Sequence, residues 1–254
     1  MRGVEDELDR AGYSPLFVSG HGNAAEEERC IESLRARRVD GIILLTGRIS
    51  DQALRACATA LPIVVAGRSL KAPGLFALKF DDLEGGRLAT QHLIELGHRR
   101  IAFIAGDPDH PDSEARFRGY RAALEAANIA FDRALVMQGD YLEASGLLAV
   151  NRLLESRQRF SAIFAANDQM AFGAALALHR RSLRVPDDIS LVGFDDLAGS
   201  QFMIPPLSTI HQASYEMGQL AASGMLHLLR GTKPTGVLPG PVFVARESTR
   251  RVPV

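Results

Sequence analysis

The feature that most limits how this chain can fold is a regular alternation along its length. Short runs rich in Val, Ile and Phe recur at 39–45, 61–66, 75–80, 100–105, 134–138, 160–166 and 189–194, with helix-like segments between them. Continuous apolar runs of this length suit parallel strands covered on both faces; a strand with one wet face alternates polar and apolar residues instead. The intervening segments carry apolar residues three and four apart: Ala89, Leu93 and Leu96 before a stop at Gly97; Phe117, Tyr120 and Leu124; and Met217, Leu220, Ala221, Gly224 and Leu228. Strand, helix, strand, helix means right-handed crossovers, and the expected class is α/β with doubly wound parallel sheets. The start is different. Val4, Leu8 and Ala11 have helical spacing, Gly12 ends that helix, and a strand is expected at 16–19. A fold of this type that opens on a helix is expected to lack its first strand.

Doubly wound sheets put their working residues on loops past the carboxyl ends of strands. Polar residues collect at those places here. Asn167-Asp168 follow the run at 160–166, Asp195-Asp196 follow 189–194, Gly139-Asp140-Tyr141 follow 134–138, and Gly106-Asp107-Pro108-Asp109-His110 follow 100–105. Asn and Asp also make turns and helix N-caps, and Asp168 in particular is expected to cap a helix. Several polar loops on one face nevertheless describe a pocket. Arg116 offers a guanidinium fork that suits two hydroxyls or a carboxylate, or else it is a surface helix arginine. Tyr141 offers a flat ring for a sugar face or a purine, or else it is a half-buried core tyrosine.

Catalytic signatures are scarce. The sequence has no G-x-S-x-G elbow, P-loop, H-E-x-x-H or G-x-G-x-x-G, and Cys30 and Cys57 lack C-x-x-C spacing. His110 and Asp112, two apart, are a weak metal signal. Asp195 and Asp196 would point to opposite faces of an extended strand and so share no proton. No catalytic residue, cofactor or metal is expected. The net charge of −1 argues against a self-sufficient nucleic-acid module, which carries a basic face. No apolar run reaches the roughly 18–20 residues that cross a bilayer. The first residues lack the apolar core of a secretory signal, and the expected location is the cytoplasm.

Longer motifs carry a family resemblance. FSAIFAANDQMAFG at 160–173, LRVPDDISLVGFDD at 183–196, PPLSTI at 205–210, LGHRRIAFIAG at 96–106 and REST at 246–249 resemble the signatures of the lactose-repressor (LacI/GalR) family of transcription regulators. The resemblance implies a periplasmic-binding-protein-like fold of type I with two doubly wound parallel-sheet lobes. The N-terminal lobe is expected at 1–106 plus 212–240 and the C-terminal lobe at 107–211 plus 241–254, with a small-molecule effector in the cleft between them. Arg116, Asn167 and Asp195 match positions that hydrogen-bond the effector in this family, and Tyr141 matches an aromatic that packs on it. Gln212 matches a position near the cleft floor, and Asp81 matches an acid at a strand end. The implied effector is a carbohydrate, and the implied assembly is a homodimer. Operator DNA would be bound only through an N-terminal helix-turn-helix that these residues do not include. Departures are the lacking helix-turn-helix, hinge helix and first strand with its loop, and Asp82 where Asn is commoner. A periplasmic solute-binding protein shares the fold and is the first rival; an enzyme acting on a sugar or nucleotide through Asp195 or Asp107 is the second.

Overall fold

The computed structural model describes residues 1–45 and 47–252. In chain order its elements are α1 (Arg2–Arg10), α2 (Ala24–Ala36), β1 (Ile42–Leu45), α3 (Asp51–Ala58), β2 (Ile63–Ala66), β3 (Leu75–Leu78), α4 (Asp82–Glu95), β4 (Ile101–Ala105), α5 (Pro111–Ala126), β5 (Val136–Gln138), α6 (Glu143–Glu155), β6 (Ala162–Ala165), α7 (Asp168–Arg180), β7 (Ser190–Val192), β8 (Thr209–His211), α8 (Ser214–Leu229) and β9 (Val242–Val244). The chain divides into two units, one of Met1–Phe80 with Ala213–Gly240, the other of Asp81–Gln212 with the stretch from Pro241 onward. The mixed class, the parallel sheets and their strand–helix alternation are those expected.

The first unit is built on a parallel sheet of order β1-β2-β3. Its middle strand shows why the run at 61–66 has no polar alternation. Ile63 and Val65 pack with Ile31, Leu34 and Leu54 on one face, while Val64 and Ala66 pack with Met217, Ala221 and Met225 of α8 on the other. Helix starts are fixed locally: the Asn23 side chain accepts from the N–H groups of Ala25 and Glu26, and Ser50 accepts from Ala53. Helix α1 packs Val4 and Leu8 against Ala222 and Leu226 of α8. The expected strand at 16–19 does not form. Leu16, Phe17 and Val18 remain 56, 48 and 47 % exposed and pair with no strand among the described residues. Apolar sequence supplies the propensity, but a strand exists only where a neighbour completes its hydrogen bonds.

The second unit holds a parallel sheet of order β5-β4-β6-β7. Every residue of β4, β6 and β7 is buried. Phe103 of β4 stacks on Tyr120 of α5 at 5.1 Å, and the Tyr120 hydroxyl donates to the carbonyl of Ile101 at 2.9 Å. An antiparallel β8–β9 pair joins the β7 side through bridges from Val192 to Ser208 and from Asp195 to His211. The expected lobe boundary after residue 106 moves to 80/81, because β4 pairs with β5 and β6 and α4 packs on α5. The same sheet also reverses its order. From β4 the chain goes to β5 on one side and returns to β6 on the other, which opens a crevice at the carboxyl ends of β4 and β6.

Candidate functional site

The crevice is lined by the residues that follow those strands. Helices α4 and α5 approach closely because both lack a Cβ at the crossing. A Cβ on Gly86 would strike the backbone of Arg116, and one on Gly119 would strike the carbonyl of Leu83. This approach sets Asp82, the first residue of α4, against Arg116 of α5. Arg116 Nε donates to Asp82 Oδ1 at 2.9 Å, Nη1 donates to the carbonyl of Ala166 at 2.6 Å, and Nη1 lies 3.5 Å from Asp195 Oδ1. The guanidinium sits over the Phe194 ring, 3.8 Å from its centroid, and 5.7 Å from that of Tyr141. Asp82 and Arg116 are both buried. Burial works against the charge of Arg116, but the carboxylates of Asp195 and Asp82 outweigh it and hold the guanidinium firmly protonated.

Asp195 stands where β7 leaves the sheet, with φ of 107°, and Asp196 follows with φ of 57°. Left-handed backbone is uncommon for residues other than glycine and persists where the surroundings fix it, often at functional sites. The two acids therefore part company by backbone twist, not by the alternation of an extended strand. Asp195 turns to Arg116, while Asp196 pairs with Arg246 at 2.6 Å and His211 at 3.0 Å. Burial pushes the Asp195 carboxyl up to about 7; Arg116 pulls it down, and Asp168, Asp82 and Asp112 push it up again. The loop beyond is clamped by Asp168. Its Oδ2 accepts from the Leu197 N–H at 2.8 Å and the Ser200 hydroxyl at 2.6 Å, and its Oδ1 accepts from the Thr209 hydroxyl at 2.6 Å.

Asn167 is the cap of α7, its Oδ1 accepting from the Met170 N–H at 2.9 Å, so the cap falls one residue before the expected Asp168. Its Nδ2 donates to the carbonyl of Tyr141 at 2.9 Å. Tyr141 itself has φ of 71°, and its phenol end lies where a Cβ on residue 106 would be, so only glycine fits at Gly106. Burial pushes the Tyr141 hydroxyl up to about 12. His110 meets the same ring edge-on at 5.8 Å and lies 3.3 Å from Asp112.

Of the residues picked from sequence, Arg116, Asn167, Tyr141 and Asp195 come together in this crevice, and buried Gln212 joins them with Nε2 3.5 Å from Asp195 Oδ1. Asp81 does not. It is an exposed N-cap accepting from the Glu84 N–H at 3.0 Å, and Asp82 beside it reaches Arg116. The Asp81-x-x-Glu84 spacing is a capping-box pattern and was the available signal that the first acid serves the helix. Phe194 under the guanidinium and the Asp168 clamp carried no spacing signal, because their partners are remote in sequence.

Comparison with known proteins fits this arrangement. Residues 90–249 match the periplasmic binding protein-like domain. The ribose operon repressor of Escherichia coli (strain K12) is 37 % identical over 92 % of this chain and 71 % of its own length. In structure, a transcriptional regulator CelR–cellobiose complex is similar with a TM-score of 0.87 at 35 % identity, over 97 % of this chain and 76 % of that one. The dimeric Lac repressor with an 11-residue C-terminal deletion is similar with a TM-score of 0.89 at 30 % identity, over 98 % and 92 %. With its sheet reversal, its buried arginine and these relatives in agreement, the chain belongs to the LacI family of transcription regulators.

Proposed function

We propose that this chain is the effector-sensing part of a transcription regulator and that its effector is a small polar molecule of the sugar class. The observation that carries the reading is the convergence of Arg116, Asp82, Asp195 and Asn167 beside the Tyr141 ring at the sheet reversal. Carboxylates, an amide, a guanidinium and an aromatic plate are what a polyhydroxylated ring needs, and none of them makes a nucleophile with its base. The relatives support the same direction: two are named as repressors and a third as a transcriptional regulator, which was solved with cellobiose. In the intact regulator, a cytoplasmic homodimer by analogy with its relatives, effector binding would favour lobe closure and so change operator affinity.

The test is a thermal-shift screen with pentoses, hexoses, disaccharides and nucleobases. A ligand that binds only the folded chain raises its stability by about 2.7 kcal/mol at a hundred times its Kd. At least one sugar is expected to do so, and Arg116→Ala and Asp195→Ala are expected to abolish the shift. Full retention of binding in either variant would contradict the site assignment, and a shift from a nucleobase alone would contradict the sugar class.

A further inference from the structure

Resting on the homodimer reading above, we propose that the outer face made by α7 and the 197–206 loop of the second unit is where a second copy of this chain docks.

The face is marked first by what its sequence leaves out. A surface helix carries charge on the side turned to water, and α5 does so with Glu114, Arg118, Arg121 and Glu125 exposed. Helix α7 has no charged residue from Gln169 to Leu178, although Leu176 is exposed and Phe172 partly so. The stretch from Leu197 to Pro206 also has none, and it exposes Leu197, Phe202 and Ile204. The two uncharged stretches meet: a Cβ on Gly199 would lie 3.5 Å from the Phe172 ring. Among the described residues this is an apolar surface on which no other element of the unit closes.

The loop is also tied in place. Asp168 Oδ2 holds the Leu197 N–H and the Ser200 hydroxyl, the Phe202 N–H donates to the Gly199 carbonyl at 3.0 Å, and the Leu207 N–H donates to the Ser200 carbonyl at 2.8 Å. Held this way, it lifts Phe202 and Ile204 into water, 78 and 94 % exposed, where a slack loop would let them fold back. Side chains already set on a fixed backbone lose less freedom when a partner covers them.

The missing charge identifies the partner. Near a two-fold axis each side chain approaches its own counterpart, so a charge there would face its like. Phe202, Ile204, Leu197, Leu176 and Phe172 can meet themselves without that penalty. A nucleic acid or an acidic peptide would find no basic group among them. Gln169 at one end of α7, with His179 and Arg180 at the other, supplies the polar rim that surrounds an apolar interface core.

The experiment is sedimentation equilibrium on the full chain at micromolar concentration. The parent is expected to be a dimer. Phe202→Asp and Leu176→Arg each set like charges against one another across the axis, and each is expected to weaken association roughly 100-fold or more. Both positions are exposed, so the melting temperature should hold while the mass falls to that of one chain. Phe17→Ser, which removes an exposed aromatic from the first unit, is expected to leave the dimer intact. A dimer that survives both charged variants overturns this face and leaves the homodimer reading standing. A parent that stays monomeric, as it would if the face served a different protein, overturns the proposal and the homodimer reading together. The effector reading is scored separately by the sugar screen, and neither of these outcomes alters it.

Discussion

The two units read alike in sequence, as apolar runs separated by helical stripes, yet they differ in how their strands are ordered. In the first unit the order β1-β2-β3 follows the chain; in the second, β5-β4-β6-β7 doubles back. Where the order doubles back, helices leave on opposite faces and the loops between them splay apart, so a crevice forms with no special sequence to make it. The buried arginine and its three neighbours Asp82, Asp195 and the Ala166 carbonyl all belong to that second unit, on its helices or just past its strand ends. The first unit spends its polar side chains differently. Glu27 accepts from the N–H groups of Arg48 and Ile49 at 2.7 and 2.8 Å, and Arg68 donates to the carbonyls of Gly47 and Ile49, so both hold a loop in shape. Similar grammar thus yields a scaffold in one place and a candidate recognition surface in the other.

This contrast can be broken at several points. The largest effect is expected for Phe103→Ala, because Phe103 is fully buried between Tyr120 and Phe164 at the centre of the second unit. It should destabilise by about 3–5 kcal/mol in chemical denaturation. A smaller loss would mean that the core of this unit can close around a cavity.

The next effect is in pH dependence. The folded-state value of Asp195 is raised from 3.8 to about 7, so folding favours its protonated form. The associated stability is complete below the unfolded value and is lost as pH rises through 7. Asp195→Asn removes that titration. The melting temperature of the variant, measured against the parent, should therefore climb between pH 4 and 7 and level off above. The climb should reach several degrees, at roughly 2–4 °C per kcal/mol for a chain of this size. A difference that is flat across the window would mean that the carboxyl stays ionised in the fold.

The smallest effect is expected in the first unit. Phe17 is 48 % exposed and belongs to no strand, so Phe17→Ser should change stability by no more than about 0.5 kcal/mol in either direction. A loss of 2 kcal/mol would show that 16–19 is held in the fold by more than its own chain direction.

Much of the fold was legible because parallel strands covered on both faces leave an unmistakable apolar run, and the seven runs outside 16–19 each contain a strand. Which sheet a strand joins was less legible. Nothing in the run at 100–105 states that its neighbours are β5 and β6, and the lobe boundary was consequently misplaced by about the length of α4 and β4. At the site, Asn167, Tyr141 and Asp195 were visible as polar residues just past strand ends. Arg116 was visible as a charge on an amphipathic helix. The choice between Asp81 and Asp82 depends on which residue caps α4, a difference of one position that turns a side chain from its own helix toward the next. The role of Asp168 depends on Ser200 and Thr209, which only folding brings near.

The glycine pair at the α4–α5 crossing has a consequence for how such a site can change over time. Since Gly86 and Gly119 set the spacing of two helices, and that spacing seats the guanidinium, the group proposed to anchor a guest is positioned by the helix crossing itself. If that proposal holds, outer loops could be exchanged to admit new guests, while a single methyl group added at the crossing would displace the guanidinium for all of them.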